Sequence, residues 1–270
     1  MKIAFLGGGN MASALIGGLI GKGADPSSIA VVEVSPAARE RLGARYPVHI
    51  AAAPDAEMQR CEIYVLAVKP QDAKAALASI AGTVQGKLLI SIAAGVTLET
   101  LSRRLGGHRK LVRCMPNTPS LIGAGIAGLY AAPGVNDDEK AAAESILAAV
   151  GEVVWVPQER LLDPVTAVSA SGPAYVFWFI EQLAAAAEKL GLSRDTSMKL
   201  ALHTVLGAAR LAASSSDTPA TLRKNVTSKG GTTEAALKVL DEEKLAERFM
   251  RAVQAASRRA TELGTEQGRD

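Results

Sequence analysis

A doubly wound α/β unit followed by an all-helical unit is the fold this sequence predicts, and three observations predict it. Short apolar runs alternate with helix-length segments as far as about residue 158, the pattern of a mostly parallel sheet with helices on both faces. From Glu159 onward the alternation stops. Apolar residues then recur at helical spacing, as in Met198, Leu202, Val205, Ala209 and Ala212, or Leu245, Phe249, Val253, Ala256 and Ala260. The chain has 270 residues, 48% of them apolar and 21% charged, a globular composition long enough to bury two modest cores. The expected domains are 1–158 and 159–270.

The first apolar run, Ile3 to Leu6, is broken by Gly7, Gly8 and Gly9 before an apolar-periodic segment begins at Met11. That order reads as strand, tight turn, helix. Gly7 and Gly9 take the first two positions of a Gly-x-Gly-x-x-Gly pattern and Ala12 the third, so the unit is of Rossmann type. Such a turn admits a pyrophosphate close to the backbone, at the N-terminus of the helix that Asn10 and Met11 open. Ile29 to Val34 is a second strand ending near Glu33, where a carboxylate grips a ribose diol. Ser35 and Pro36 then open a helix to Leu42, and a short third strand lies near Val48.

Ile63 to Val68 reads as a fourth strand, buried on both faces and ended by Lys69-Pro70. Leu88 to Ala93 is a fifth, ended by Ala94-Gly95, with Thr97 placed to cap a helix. Ala67, Val68, Lys69, Pro70, Ala93 and Ala94 therefore fall at carboxyl ends of strands, where the nicotinamide half of a dinucleotide lies in this fold. Leu111 to Cys114 is a sixth strand, followed by Met115-Pro-Asn-Thr-Pro119, a loop stiffened by its prolines. Asn136 and Glu139 form a capping box for a helix through Val150, and Val153 to Val156 closes the sheet.

In the helical half, Ser169 to Tyr175 opens the first long helix, and the aromatic turn Val176 to Ile180 fits a subunit interface as readily as a core. Asn225-Val-Thr-Ser-Lys-Gly-Gly-Thr-Thr233 interrupts the helices. Structurally it is a helix stop followed by a Thr cap. As a site, the N–H groups of Gly230 and Gly231 with the hydroxyls of Ser228, Thr232 and Thr233 make an uncharged nest for a small carboxylate.

Other classes are disfavoured. The net charge is +3 with no Lys/Arg cluster, so no nucleic-acid partner is expected. No run of 18 apolar residues and no secretory segment is present, so no membrane partner is expected and the cytoplasm is the expected location. Cys61 and Cys114 read as reduced packing residues. His49, His108 and His203 lack ligand spacing, so no metal is expected.

Taken together, Gly7–Ala12, Ala67–Pro70, Met115–Pro119 with Ser171–Tyr175, and Asn225–Thr233 resemble the pyrroline-5-carboxylate reductase family along essentially the whole chain. The resemblance implies reduction of 1-pyrroline-5-carboxylate to proline, a homodimer built by the C-terminal helices, room for five such dimers to assemble into a decamer, and an active site partly completed by the partner subunit. It implies that Gly8, Asn10 and Met11 touch the pyrophosphate, Val68, Lys69 and Pro70 the nicotinamide ribose, Ala94 the nicotinamide, and Asn225 the cofactor from the helical half. It further implies that Ser228, Gly231, Thr232 and Thr233 hold the substrate carboxylate and ring nitrogen, with Glu159 a substrate contact. Thr233 is the candidate catalytic residue, as orienter of the ring nitrogen or last link to a water that protonates it.

Two departures from the family pattern stand out. Lys229 occupies a position that usually holds proline. Glu33 disfavours the 2′-phosphate of the family's usual NADPH, with only Ser35 and Arg39 to receive it, so NADPH and NADH both stay open. Two other readings compete: a 3-hydroxy acid dehydrogenase-like enzyme, for which Lys199 or Lys224 would supply the base, and a non-catalytic dinucleotide-binding regulator. The nest at Ser228–Thr233 argues against the regulator, which has no need of a second ligand site.

Overall fold

In a computed structural model of the chain, residues 1–268 are described. They fall into two units, one comprising Met1–Ser171 with the chain from Ala256 onward, the other Gly172–Ala255. The first unit contains, in order, β1 (Ile3–Leu6), α1 (Asn10–Gly21), β2 (Ile29–Val32), α2 (Pro36–Arg45), β3 (His49–Ala51), α3 (Ala56–Gln59), β4 (Ile63–Leu66) and α4 (Ala73–Ile80). It continues through β5 (Leu88–Ser91), α5 (Leu98–Arg104), β6 (Leu111–Met115), β7 (Gly125–Ala131), α6 (Asp137–Leu147), β8 (Gly151–Trp155) and α7 (Leu162–Val165). The sheet order is β3-β2-β1-β4-β5-β6-β7-β8. The strand order turns back beside β1, between β2 and β4, and a ligand crevice opens at such a switch point.

Successive residues of a strand point to opposite faces, and β1 shows this directly. Ile3 and Phe5 pack with Ala12, Leu15 and Ile16 of α1 and Ile146 of α6. Ala4 and Leu6 pack with Leu77 and Ile80 of α4 and Leu101 of α5. All four residues of β1 are buried, as a strand covered on both faces requires. The small face of α1 serves close approach: a Cβ on Gly18 would lie 2.5 Å from the Ala149 carbonyl oxygen.

The predicted caps form. Ser35 accepts from the Ala38 N–H with Pro36 following it, Thr97 accepts from the Thr100 N–H, and Asn136 with Glu139 closes a full capping box. One strand was not anticipated. β7 pairs antiparallel with β6, while β7 and β8 are parallel, so the sheet is mixed at that edge. β2 also stops at Val32, which leaves Glu33 just past the strand end.

The second unit holds α8 (Gly172–Lys189), α9 (Arg194–Ser214), α10 (Pro219–Asn225), α11 (Thr232–Glu242) and the first turns of α12 (Leu245–Gly268). Tyr175 of α8 meets Phe249 of α12 edge to face, with ring centroids 5.7 Å apart. Val176, Phe177, Trp178 and Phe179 are 44–60% exposed in the single chain. Four consecutive large apolar residues left in water are the mark of a face that another surface covers. The later part of α12 belongs to the first unit, where the Thr261 hydroxyl donates to Asp163 at 2.8 Å and Arg104 donates to the Gln267 carbonyl at 3.1 Å.

Candidate active site

The glycine turn between β1 and α1 is shaped by its neighbours. Gly7 has φ +97°, and a Cβ there would lie 2.7 Å from the Ala67 carbonyl oxygen and 2.9 Å from Val68 Cγ1. Only glycine fits both the dihedral and the gap. The first glycine of the turn is thereby seated against the end of β4, which brings Gly7 together with Ala67 and Val68. Gly8 abuts Glu33: a Cβ on Gly8 would stand 3.4 Å from Glu33 Cβ, and the Gly8 N–H donates to Glu33 Oε2 at 2.8 Å.

The mouth of this crevice suits a dinucleotide. Nothing lies within 4 Å of a Cβ built on Gly9, so the backbone there faces open space. Gly9 is the N-cap of α1, no side chain caps the helix, and its first turn carries no acidic residue. The free first-turn N–H groups and the positive end of the helix dipole, with Asn10 exposed and Met11 half-buried, are what a pyrophosphate binds.

Glu33 is held on both sides. Its Oε1 accepts from the Ser35 N–H at 2.8 Å, while the Arg39 guanidinium donates to the Glu33 and Val34 carbonyl oxygens at 2.8 and 2.9 Å. A carboxylate, an exposed serine and an arginine are thus grouped just beyond β2. Ala67, Val68, Lys69 and Pro70 follow β4, with Lys69 exposed and Pro70 starting a single 3-10 turn. Ala93 is buried and Ala94 exposed just past β5. The structure gathers these predicted positions at the carboxyl ends of β1, β2, β4 and β5.

The second unit carries the other predicted set. Asn225 ends α10, and the chain then turns through Gly230 at φ +73° into α11. The expected Thr cap does not form: Gly231 is the N-cap of α11, with no side-chain cap bond. Glu234 instead reaches back and accepts from the Gly230 N–H at 2.7 Å. The Gly230 N–H, which the sequence placed in the nest, is therefore engaged by the chain's own carboxylate. Gly231 packs against Ser228, whose Oγ would sit 2.5 Å from an added Cβ. Thr232 and Thr233 open the helix, exposed and half-buried respectively, with first-turn N–H groups that have no intrahelical acceptor. Ser228 and Lys229 are exposed beside them.

Glu159 lies in the first unit, in a polar cluster that sequence reasoning did not assemble. Its Oε1 accepts from the Leu98 N–H at 2.8 Å and from Arg113 Nη1 at 3.0 Å. Arg113, in the middle of β6 with a side chain 9% exposed, also lies 3.9 Å from Asp163. Removing one member of such a buried pair strands the other charge, at a cost of about 3–5 kcal/mol. The signal was available: Arg113 is a lone charge inside the run Leu-Val-Arg-Cys-Met, and a charge on a buried strand needs a partner.

Asn117 is the second missed residue. It is buried, its Oδ1 accepts from the Ile126 N–H at 2.9 Å, and its Nδ2 donates to the Ser169 carbonyl at 3.1 Å. It stitches the Met115–Pro119 loop to β7 and to the wide helical turn at Thr166–Ala170. The two cysteines are free and buried, and burial pushes the Cys114 thiol far above its ordinary range.

Two family models match different parts of the chain. A family described as pyrroline-5-carboxylate reductase dimerisation matches residues 159–263, and one described as NADP oxidoreductase, coenzyme F420-dependent, matches residues 2–95. A pyrroline-5-carboxylate reductase of Pseudomonas aeruginosa is 41% identical over 268 residues, covering 99% of this chain and 98% of that relative. A solved pyrroline-5-carboxylate reductase from Coxiella burnetii superposes with TM-score 0.93 at 43% identity, covering 97% of this chain and 98% of that one. The Plasmodium falciparum pyrroline carboxylate reductase, solved with NADP bound, gives TM-score 0.85 at 32% identity, covering 98% of each chain.

Proposed function

The chain belongs to the pyrroline-5-carboxylate reductase family, and from that premise we propose that it reduces the C=N bond of 1-pyrroline-5-carboxylate to give L-proline, the closing step of proline biosynthesis, using NADPH or NADH. The observation that carries this reading is the full-length likeness to relatives of that one activity. The glycine turn, Glu33 and the end of β4 add to it, since they meet in one crevice with the uncapped N-terminus of α1.

When bound, a reduced nicotinamide would supply a hydride to the imine carbon. This chain's residues would bind the substrate, orient it and hold the proton at nitrogen. Gly7, Gly8, Gly9, Asn10 and Met11 would hold the pyrophosphate, with the Gly8 N–H already given to Glu33; Glu33 and Ser35 would take the adenosine ribose, and Ala67, Val68, Lys69 and Pro70 the other ribose. Ala93 and Ala94, small residues just past β5, would leave room for the nicotinamide ring, and Asn225 would be a cofactor contact, as the family resemblance implies. Ser228, Gly231, Thr232 and Thr233 hold the substrate carboxylate with neutral donors. Gly230 contributes its left-handed turn, with its N–H already given to Glu234.

Thr233 orients the ring nitrogen or passes a proton to it from water. A protonated imine already carries the proton it needs, so no strong base is required. That requirement separates this reading from an alcohol dehydrogenase working through Lys199 or Lys224. The protein acts as a cytoplasmic homodimer covered at Val176–Phe179, and a decamer of five such dimers is the further level of assembly.

The test is the absorbance of NADPH and of NADH, followed separately with the full-length protein on addition of 1-pyrroline-5-carboxylate. Oxidation of at least one, dependent on the imine, is expected. Binding of the reduced cofactor with no oxidation of either would overturn the assignment in favour of a regulator.

A further inference from the structure

We infer that Arg113, with Glu159 and Asp163, is a positioning group that fixes the loop following β5 and thereby the nicotinamide edge of the cofactor site. The inference rests on the dinucleotide reading above. The residues form one connected chain within the first unit. Thr261 on α12 donates to Asp163 Oδ2 at 2.8 Å, and Asp163 Oδ1 lies 3.9 Å from Arg113 Nη2. Arg113 Nη1 donates to Glu159 Oε1 at 3.0 Å, and that same oxygen accepts from the Leu98 N–H at 2.8 Å. Leu98 is the first residue of α5, so the chain of contacts ends on the segment Ala93–Thr97.

A second contact closes the loop from its other side. Gly95 has φ +74°, and a Cβ there would lie 3.4 Å from the carbonyl carbon and oxygen of Leu263. The loop is therefore held between α12, which packs on Gly95, and Glu159, which holds Leu98. Within it Ala94 is exposed and Val96 is fully buried. A loop pinned at both ends presents Ala94 in one place, and holding a reacting group in place is where this reaction class draws its rate.

The chemistry of the cluster agrees with a fixing role. Arg113 presents a planar fork that meets two carboxylates from one strand position, which a lysine cannot reproduce. Glu159 thereby acts through Leu98 and Arg113, which gives the position a function without a direct substrate contact.

The experiment compares two probes on the full chain: reduced cofactor, and ADP-ribose, which lacks the nicotinamide ring. Dissociation constants are measured for wild type, Arg113→Gln and Thr261→Val. Arg113→Gln is expected to weaken reduced-cofactor binding about tenfold while leaving ADP-ribose unchanged, because only the loop beneath the ring is released. Thr261→Val, an isosteric change at the far end of the chain of contacts, moves the same ratio in the same direction by a smaller factor. Equal weakening of both probes, or an unchanged ratio in a folded variant, overturns the inference. Should Arg113→Gln fail to fold, the ratio for Thr261→Val decides it. Failure of wild type to oxidise cofactor with the imine would sink the reductase reading and leave this binding ratio readable by itself.

Discussion

Thr233→Ala is expected to lower kcat for 1-pyrroline-5-carboxylate by about 100-fold, the usual effect of removing one donor aimed at a reacting group. Affinity for reduced cofactor is expected to stay at the wild-type value, since the proposed cofactor contacts lie elsewhere. The structure makes the substitution clean. Gly231, not a threonine, is the N-cap of α11, and the cap region is closed by Glu234 on the Gly230 N–H. Thr233 has no cap bond to lose, so the variant should unfold at the wild-type temperature. Thr233→Ser keeps the hydroxyl and is expected to restore most of the rate. Steady-state kinetics on the three proteins, with thermal unfolding as control, checks this. Near wild-type kcat in Thr233→Ala would remove its hydroxyl from the mechanism.

Glu33→Ser is expected to shift the ratio of kcat/KM for NADPH over NADH by roughly tenfold or more towards NADPH. A carboxylate about 4 Å from a 2′-phosphate repels it by roughly 1–4 kcal/mol per unit charge, depending on how much water screens the pair. Arg39 and Ser35 are already stationed beside that position, Arg39 through its bonds to the Glu33 and Val34 carbonyls. Those acceptors belong to the backbone and survive the substitution. The Gly8 N–H loses its carboxylate acceptor, so some weakening of NADH binding is expected as well. Parallel titrations of the two cofactors at fixed imine decide it, and an unchanged ratio would mean that Glu33 does not face the ribose.

How much of this was legible depended on whether the governing physics was local. The turn at Gly7–Gly9, the carboxylate past β2 and the caps at Ser35, Thr97 and Asn136 follow from rules that span a few residues, and all were readable. β7 was not. Gly125 and Gly128 dilute its strand character, and the reason for Gly128 lies far along the chain: a Cβ there would sit 2.7 Å from Val165 Cγ1. The cap of α11 was misread because two threonines after a glycine pair look like caps, whereas Glu234 bonding back to Gly230 sets the helix start one residue earlier. The Arg113 cluster joins residues from β6, the turn before α7, α7 itself and α12, and no spacing in the sequence announces such a meeting.

The most direct measurement of the central claim follows the hydride itself. The protein is incubated with 1-pyrroline-5-carboxylate and NADPH or NADH deuterated at the transferring position of nicotinamide C4, and the product is analysed by mass spectrometry. The account predicts L-proline carrying a single deuterium at C5, the former imine carbon. Unlabelled proline, or oxidised cofactor without proline, would contradict it.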